Sequence, residues 1–277
     1  MIPKIIHYCW FGGNPKPDDV KRYLASWKKY CPDYEIREWN EANFDVNEND
    51  YCREAYEAKK WAFVTDYVRL KALYKYGGFY MDTDVEMLKS LDLLRAYDAL
   101  SGYESSTHIP TGTMGACRDN EWIGMLLKDY EHRHFIQSDG KPDLTTNVDV
   151  ITKLTKEKYN LTLDGSLTKF GDNMVLLPYD YLCAKSLETG KVEVTDNTYT
   201  IHHFAGSWLP QETQEYAKRF KAYYAAYMDK GIPASAAFVL CRIKAAYEVG
   251  GAGLVLRKLW LNAKPCGILD FAHTTHG

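Results

Sequence analysis

The stretch KKWAFVTDYVRLKALYKYGGFYMDTDVEM, residues 59–87, carries most of the information about the fold. Its first part predicts a helix over Lys59–Gly78, because it contains no internal glycine or proline and ends in a glycine pair suited to a helix C-terminus. The apolar run that follows predicts a short buried strand, and Asp82 and Asp84 come directly after it. A helix that leads straight into a buried strand is typical of α/β proteins.

The segments before this stretch alternate in the same way. Lys4–Phe11 predicts a buried first strand, and Asp18–Tyr30 predicts a helix, since acids open it and lysines close it as the helix dipole favours. Tyr34–Trp39 predicts a second strand, and the acidic Asn40–Asp50 predicts a loop. Strands joined by long helical connections imply an α/β fold with a partly parallel sheet.

Length and composition set the broad class of the protein. The 277 residues are 46% hydrophobic and 26% charged, the profile of a soluble globular protein with a sizeable core. From about Gln211 onward the chain reads as helix without strands. We therefore expect a catalytic domain over residues 1–210 and a C-terminal helical subdomain over residues 211–277. The net charge of -3 argues against a general nucleic-acid-binding protein, which would carry a basic surface.

The cysteines and the hydropathy of the sequence indicate the cellular compartment of the protein. The seven cysteines are odd in number, widely spaced and free of C-x-x-C pairs, which favours reduced thiols over a disulfide framework or a zinc site. The first residues, MIPKIIHYCWFGG, lack the apolar region and cleavage site of a secretory signal. The sequence contains no uninterrupted apolar run of about 18 residues, so we expect no helix that spans a membrane. We expect a cytoplasmic protein.

The two aspartates after the strand are candidate metal ligands. Side chains two residues apart on an extended segment point the same way, so Asp82 and Asp84 can offer carboxylates to one ion. Hard oxygen ligands suit Mg²⁺ or Mn²⁺, and ligands of α/β sheets gather beyond the carboxyl ends of strands. A bare D-x-D is more often a surface turn. Glu86 and Met87 break the EF-hand pattern, and Glu86 counts against a haloacid-dehalogenase-type phosphatase without excluding it.

The preceding helix carries two charges in an unusual place. At about 100° per residue, Asp66 and Arg69 share one narrow face with Ala62 and Leu73. Charges on an otherwise apolar stripe are normally paired or functional. Two interpretations stay open from this helix alone: a structural Asp66–Arg69 pair, or two groups that reach a polar ligand at the edge of the sheet.

Four blocks of sequence, in order between Ile2 and Trp208, resemble one known family. They are IPKIIHYCWFGG, SW…CPDYEIREW, AFVTDYVRLKALYKYGGFYMDTDVEML and YTIHHFAGSW. The family is that of the D-x-D glycosyltransferases (family 32-like), which includes yeast-type initiating mannosyltransferases and bacterial capsule glycosyltransferases. The catalytic domain of the large clostridial glucosylating toxins is similar more distantly. The resemblance implies a GT-A fold, a mostly parallel central sheet flanked by helices, here with a C-terminal helical extension.

The resemblance also implies roles for matched residues. Asp66 and Arg69 match a pair that contacts the donor sugar and diphosphate, Asp82 matches an aspartate on the ribose and sugar, and Asp84 matches the direct metal ligand. Further matches to donor-binding positions are His7, Trp10 on the nucleotide base, Tyr80 near the ribose and sugar, Asn147 on the donor sugar and Trp208 near the diphosphate.

One neighbouring pair of residues needs a choice. Only one of the adjacent His202 and His203 can face a metal ion from a strand. We assign His203 as the second metal ligand, together with Asp84, in an oxygen and nitrogen shell suited to Mn²⁺ or Mg²⁺.

These implications define the expected function. We expect a metal-dependent glycosyltransferase that moves a sugar from a nucleotide-diphosphate donor to a saccharide or lipid-linked saccharide acceptor, with retention, in bacterial capsular or exopolysaccharide synthesis. A UDP-sugar is favoured, and GDP-mannose stays open. Two alternatives use the same residues: a D-x-D metal-dependent phosphatase or sugar-nucleotide hydrolase, and a non-catalytic sugar-nucleotide binding module.

The C-terminal region has a distinct charge pattern. Between Cys241 and Lys264 five cations stand against a single acid, Glu248, with leucines and a tryptophan interleaved. Such a helix is typical of a segment lying on an anionic membrane surface, and an ordinary packed helix has the same pattern. Both interpretations stay open, and the first would place the protein peripherally on the inner face of the membrane.

Overall fold

The structure of the protein, a computed structural model, describes residues 1–109, 112–207 and 209–260, without the side chains of residues 258–260. These residues form two compact units. The first consists of Met1–Lys185 and Glu193–Phe204, and the second of Ser186–Val192 and the described residues from Ala205 onward.

A seven-stranded sheet organises the first unit, and a two-stranded ladder accompanies it. The strands are β1 (Ile5–Cys9), β2 (Glu35–Trp39), β3 (Gly78–Met81), β4 (Val85–Met87), β5 (Ala99–Gly102), β6 (Thr113–Ala116), β7 (Thr168–Phe170), β8 (Met174–Leu177) and β9 (Thr200–His202). The order across the large sheet is β2-β1-β3-β6-β5-β8-β7, and β4 pairs with β9.

The strand directions identify the type of fold. β2, β1 and β3 are parallel, β6 runs antiparallel to both β3 and β5, and β8 is parallel to β5. Only β6 and β7 oppose the other five strands of this sheet. The predicted α/β class with a mostly parallel central sheet is confirmed.

Helices cover both faces of the sheet. They are α1 (Asp18–Tyr30), α2 (Asp50–Glu57), α3 (Trp61–Tyr76), α4 (Glu121–Asp129), α5 (Asn147–Tyr159) and the short α6 (Tyr179–Leu182). One core holds the buried side chains of α2, α3 and α4 with Tyr80, and the other holds Trp27 of α1 with Phe79 and Met81. The alternation of β3 between the two cores shows that this strand lies at the centre of the unit.

The glycine pair after α3 is required by the backbone. Gly77 and Gly78 have φ of 65° and 104°, in the region that favours glycine. A side chain at Gly78 would meet the carbonyl oxygen of Ile5 at 2.6 Å, and one at Gly77 would meet the amide nitrogen of Arg118 at 2.7 Å. The pair ends the helix and lets β3 lie close against β1.

Helix α2 was not predicted. The segment Asn40–Asp50, predicted as a loop, contains a 3-10 turn at Val46–Glu48, and Asp50 begins α2. The side chain of Asn49 caps α2 by accepting a hydrogen bond from the Cys52 amide. Helix α2 packs its buried face into the core beside α3.

The second unit contains the C-terminal helices that the sequence predicted. Helix α7 (Gln211–Asp229) and helix α8 (Ala234–Trp260) pack through a small core that includes Phe220 and Cys241. Helix α8 is interrupted at Gly250 and Gly251, and Gly251 has φ of 62°. Among the described residues, no helix combines the length and apolar character needed to span a membrane.

Candidate functional site

The D-x-D aspartates lie in a tight turn beyond the end of β3. The amide of Val85 donates to the carbonyl oxygen of Asp82 at 3.1 Å, and the amide of Asp82 donates to the carbonyl oxygen of Gly112 at 2.8 Å. The segment is therefore a β-turn, and our expectation of an extended D-x-D is wrong. The carboxylates of Asp82 and Asp84 are nevertheless only 25% and 18% exposed, unlike those of a free surface turn.

A histidine completes this cluster of possible ligands. One ligand atom each from Asp82, Asp84 and His202 lie within 4.8 Å of one another. Nε2 of His202 is 3.3 Å from Oδ1 of Asp84. Nδ1 of His202 is buried and has no hydrogen-bond partner among the described residues. The backbone of Gly112 lies so close that a Cβ there would meet Nδ1 of His202 at 2.8 Å.

The structure corrects our choice between the two adjacent histidines. His203 points away from the aspartate pair: its Nε2 is 2.8 Å from Oε2 of Glu86, and its ring stacks on Tyr23 at 4.6 Å. Its main chain does contact the turn, where the amide of His203 donates to the carbonyl oxygen of Asp84 at 2.9 Å. The described ligand set is therefore Asp82, Asp84 and His202.

A second charged group lies beside the cluster. Nη2 of Arg69 is 3.2 Å from Oδ1 of Asp66 and 3.2 Å from Oδ1 of Asp82. The hydroxyl of Tyr80 donates to Oδ1 of Asp82 at 3.0 Å, and the Arg69 guanidinium lies over the Tyr80 ring, 4.6 Å from its centroid. The structure thus brings four predicted site residues together. The Asp66–Arg69 pair forms, and it is joined to the D-x-D turn rather than isolated in the core.

Asn147 also reaches this group. It begins α5, and its Nδ2 donates to Oδ1 of Asp66 at 2.5 Å. Burial raises the pKa of Asp66 to about 7, although Arg69 and the Asn147 hydrogen bond act in the opposite direction. Asn147 therefore holds Asp66 in place.

The residues present fit a divalent cation. Two carboxylates and an imidazole are ligands that Mn²⁺ and Mg²⁺ sites use, and the imidazole favours Mn²⁺. Although burial opposes it, Asp84 raises the pKa of His202. Because a ligating imidazole must be neutral, metal binding at this cluster would displace the His202 proton.

Other predicted donor-binding residues differ in their surroundings. His7 is fully buried, its Nε2 lies 2.8 Å from the carbonyl oxygen of Gly77, and its Nδ1 accepts from Nε1 of Trp39 at 3.2 Å. Both ring nitrogens of His7 are occupied inside the protein, so its prediction as a donor-binding residue is wrong. The Trp10 ring is half-buried, with the ammonium of Lys16 5.6 Å from its centroid. Stacking of a base on Trp10 stays a prediction.

Trp208, predicted near the diphosphate, lies outside the described residues.

Two residues near the cluster were missed by the sequence analysis. Lys185 donates through Nζ to the carbonyl oxygen of His203 at 3.0 Å. Glu104 follows β5, and burial together with the charges of Asp82 and Asp84 raises the pKa of its carboxyl group. No local sequence pattern marks either residue, because chain folding alone brings each to the turn.

Comparison with known proteins agrees with this site. Residues 17–101 match the family described as "Glycosyltransferase sugar-binding region containing DXD motif". Two relatives from Schizosaccharomyces pombe are inositol phosphoceramide mannosyltransferases 3 and 2. The first is 29% identical over 136 residues, which cover 46% of this chain and 37% of the relative. The second is 26% identical over 188 residues, which cover 65% of this chain and 54% of the relative. The chain thus spans about half the length of these relatives or less.

Solved structures show a weaker likeness. One is the PaToxG glycosyltransferase, 17% identical with a TM-score of 0.44 over 57% of this chain and 70% of that one. Another is a glycosyltransferase involved in the glycosylation of the major capsid of PBCV-1. It is 10% identical with a TM-score of 0.44 over 73% of this chain and 95% of that one. The family match contains Asp66, Arg69, Tyr80 and the D-x-D turn. Residues 17–101 of this chain thus match the sugar-binding region of the D-x-D glycosyltransferases, the family that the sequence resembles.

Proposed function

We propose that the chain is a divalent-metal-dependent glycosyltransferase that takes a sugar from a nucleotide-diphosphate donor, with UDP-sugars favoured. The observation that carries the proposal is the Asp82, Asp84 and His202 cluster joined to the buried Asp66–Arg69 pair. Asp66, Arg69, Asp82 and Asp84 lie within residues 17–101, which match the D-x-D sugar-binding region. Asp84 and His202, with Asp82, would hold Mn²⁺ or Mg²⁺. The bound ion would supply Lewis-acid stabilisation of the diphosphate oxygens.

The chain's own residues favour departure of a diphosphate. In the reaction the bond between the anomeric carbon and the β-phosphate oxygen breaks, and its electron pair stays on that oxygen. The permanent charge of Arg69 lies beside the site and stabilises negative charge that grows in the transition state. Asp66 and Asp82 place carboxylate groups near the positive charge that develops on the sugar. Asn147 and Tyr80 hold these two carboxylates in position.

We further propose that the anomeric configuration is retained. The acceptor hydroxyl would attack on the face that the diphosphate leaves, and its proton would pass to the departing phosphate oxygen, so that no covalent sugar–enzyme intermediate is needed. An NMR comparison of the anomeric coupling in donor and product tests this step. Retention is expected, and an inverted product would contradict it.

A product assay separates transfer from its rivals. The full chain is incubated with Mn²⁺, each UDP- and GDP-sugar and a panel of saccharide acceptors, and nucleoside diphosphate and inorganic phosphate are measured. We expect nucleoside diphosphate release that rises with one acceptor, disappears in Asp84→Ala and persists in Glu86→Ala, whose carboxylate pairs with His203 outside the cluster. Phosphate release without an acceptor would indicate a phosphatase. Donor binding without turnover in the presence of every acceptor would indicate a binding module.

The acceptor is proposed to be a saccharide, free or lipid-linked, in capsular or exopolysaccharide synthesis in the cytoplasm. The two yeast relatives are named for a mannosyl transfer to a ceramide lipid, which supports a lipid-linked acceptor and keeps mannose open as the sugar. Helix α8 supports peripheral contact with the inner face of a membrane. It exposes Val239, Leu240, Ile243 and Tyr247 at helical spacing, next to the basic Lys244.

Co-sedimentation with vesicles tests the membrane contact. The full chain is compared with a variant carrying Leu240→Asp and Ile243→Asp, on phosphatidylcholine vesicles with and without phosphatidylserine. Binding that requires phosphatidylserine and is lost in the variant is expected. Equal sedimentation of both proteins would remove the membrane contact from the proposal. Exposed Met228→Asp on α7 serves as the matched control.

A further inference from the structure

Lys185 is a cation near the D-x-D turn that is neither a candidate metal ligand nor part of the Asp66–Arg69 pair. It follows α6 by three residues, and the chain there is fixed against β9, since Oγ1 of Thr200 donates to the carbonyl oxygen of Leu182 at 2.8 Å. The ammonium of Lys185 donates to the carbonyl oxygen of His203 at 3.0 Å. The amide of the same His203 donates to the carbonyl oxygen of Asp84 at 2.9 Å. One residue therefore joins Lys185 to the D-x-D turn.

The charge of Lys185 is poorly balanced where it lies. Within the described parts of the chain, no carboxylate lies within ion-pair distance of Nζ, and its hydrogen bond goes to a neutral carbonyl. Burial lowers the pKa of Lys185, and the charge of Asp84, a member of the ligand cluster, acts in the opposite direction. An ammonium offers three donors, so two are left for another partner. A half-buried cation beside a metal-ligand carboxylate suits an anion that binds the same metal.

We propose that Lys185 binds the β-phosphate of the nucleotide-diphosphate donor and stabilises the leaving diphosphate. The inference rests on the proposed function and adds a second protein cation to Arg69. Lys185 is also placed by a different part of the fold. Arg69 is held within the core by Asp66 and Asp82 on the α3 side, whereas Lys185 reaches the turn from the segment before β9. Two cations fixed on separate elements can contact different oxygens of one diphosphate.

Binding of nucleotides that differ only in the β-phosphate tests the proposal. Titration calorimetry in Mn²⁺ buffer measures UDP and UMP, and GDP and GMP, on the full chain and on Lys185→Met. Loss of a hydrogen bond to a charged group predicts diphosphate binding about 10- to 100-fold weaker in Lys185→Met. Monophosphate binding should change little. Lys185→Arg should recover part of the diphosphate affinity, because it keeps the charge.

A matched lysine controls for loss of a main-chain contact. Lys89 also donates to a main-chain carbonyl oxygen, that of Asp196, and its ammonium lies over the Tyr199 ring. Lys89→Met should bind the diphosphates like the wild type. Unchanged diphosphate affinity in Lys185→Met, or an equal loss for mono- and diphosphate, would overturn the role of Lys185 while leaving the proposed function standing. A wild-type chain that binds neither UDP nor GDP with Mn²⁺ would overturn both.

Discussion

Replacing Arg69 by methionine is the perturbation whose effect follows most directly from the structure. The Arg69 side chain is 5% exposed. Its guanidinium contacts Asp66 and Asp82 at 3.2 Å each, Oγ1 of Thr65 at 3.3 Å and the face of Tyr80. Arg69→Met would leave Asp66 buried beside Asp82 with no cation between them. Removing one partner of a buried ion pair costs about 3–5 kcal/mol of unfolding free energy.

The second half of this prediction separates stability from activity. In Arg69→Met/Asp66→Asn one of the two carboxyl groups left without the cation is gone, so we expect a coupling of about 0.5–3 kcal/mol in the double-mutant cycle. Transfer activity should stay lost, because no guanidinium faces the diphosphate. Urea unfolding of metal-free protein, followed by tryptophan fluorescence, measures the free energies. The exposed Arg22–Asp19 pair is the control, and Arg22→Met should cost no more than about 1 kcal/mol.

Two results would refute this reasoning. One is a cost for Arg69→Met no larger than that of Arg22→Met, which would mean that the buried contacts of Arg69 are not made in solution. The other is simple additivity in the cycle with Asp66→Asn, which would mean that the two charges do not interact.

Three further predictions concern single residues. His202→Ala should weaken Mn²⁺ binding at least about tenfold, and His203→Ala should not, as measured by the electron paramagnetic resonance of free Mn²⁺; the reverse order would restore our original assignment. Gly112→Ala would push a Cβ against His202 and should also weaken Mn²⁺ binding, with little change in thermal unfolding; unchanged Mn²⁺ affinity would show that this contact does not position the ring. Burial lowers the pKa of His7 to about 4, so below pH 6.5 the unfolded chain binds a proton that the folded chain does not. Stability should therefore fall by about 2 kcal/mol from about pH 7 to about pH 5, and a His7→Gln variant with the same pH dependence as the wild type would contradict this.

The central part of the fold could be predicted because its signals are local. The uninterrupted helix, the glycine pair and the apolar run before Asp82 each leave a pattern in consecutive residues, and α3 and β3 follow that pattern. The ion pair of Asp66 and Arg69 was one of two interpretations of this helix, since both residues lie on one helix face.

The rest depends on contacts between distant segments. Alternation along a strand says that one of His202 and His203 faces the cluster but not which one. That choice depends on the register of β9 against β4, in which His202 pairs with Val85 directly after the D-x-D turn. His7 was assigned to the donor site, but β1 is an inner strand between β2 and β3, and the ring is closed in by Trp39. Lys185 reaches the turn only because the chain before β9 returns to it.

The most direct test of the central claim is a thermal-shift screen of nucleotide sugars with and without Mn²⁺, on wild type, Asp84→Ala and Glu86→Ala. A ligand that binds only the folded protein raises its apparent stability by mass action. We predict a shift for one nucleotide sugar that requires Mn²⁺, vanishes in Asp84→Ala and persists in Glu86→Ala. A shift that is independent of Mn²⁺ and of Asp84, or no shift with any donor, would contradict a metal-dependent nucleotide-sugar site at the D-x-D turn.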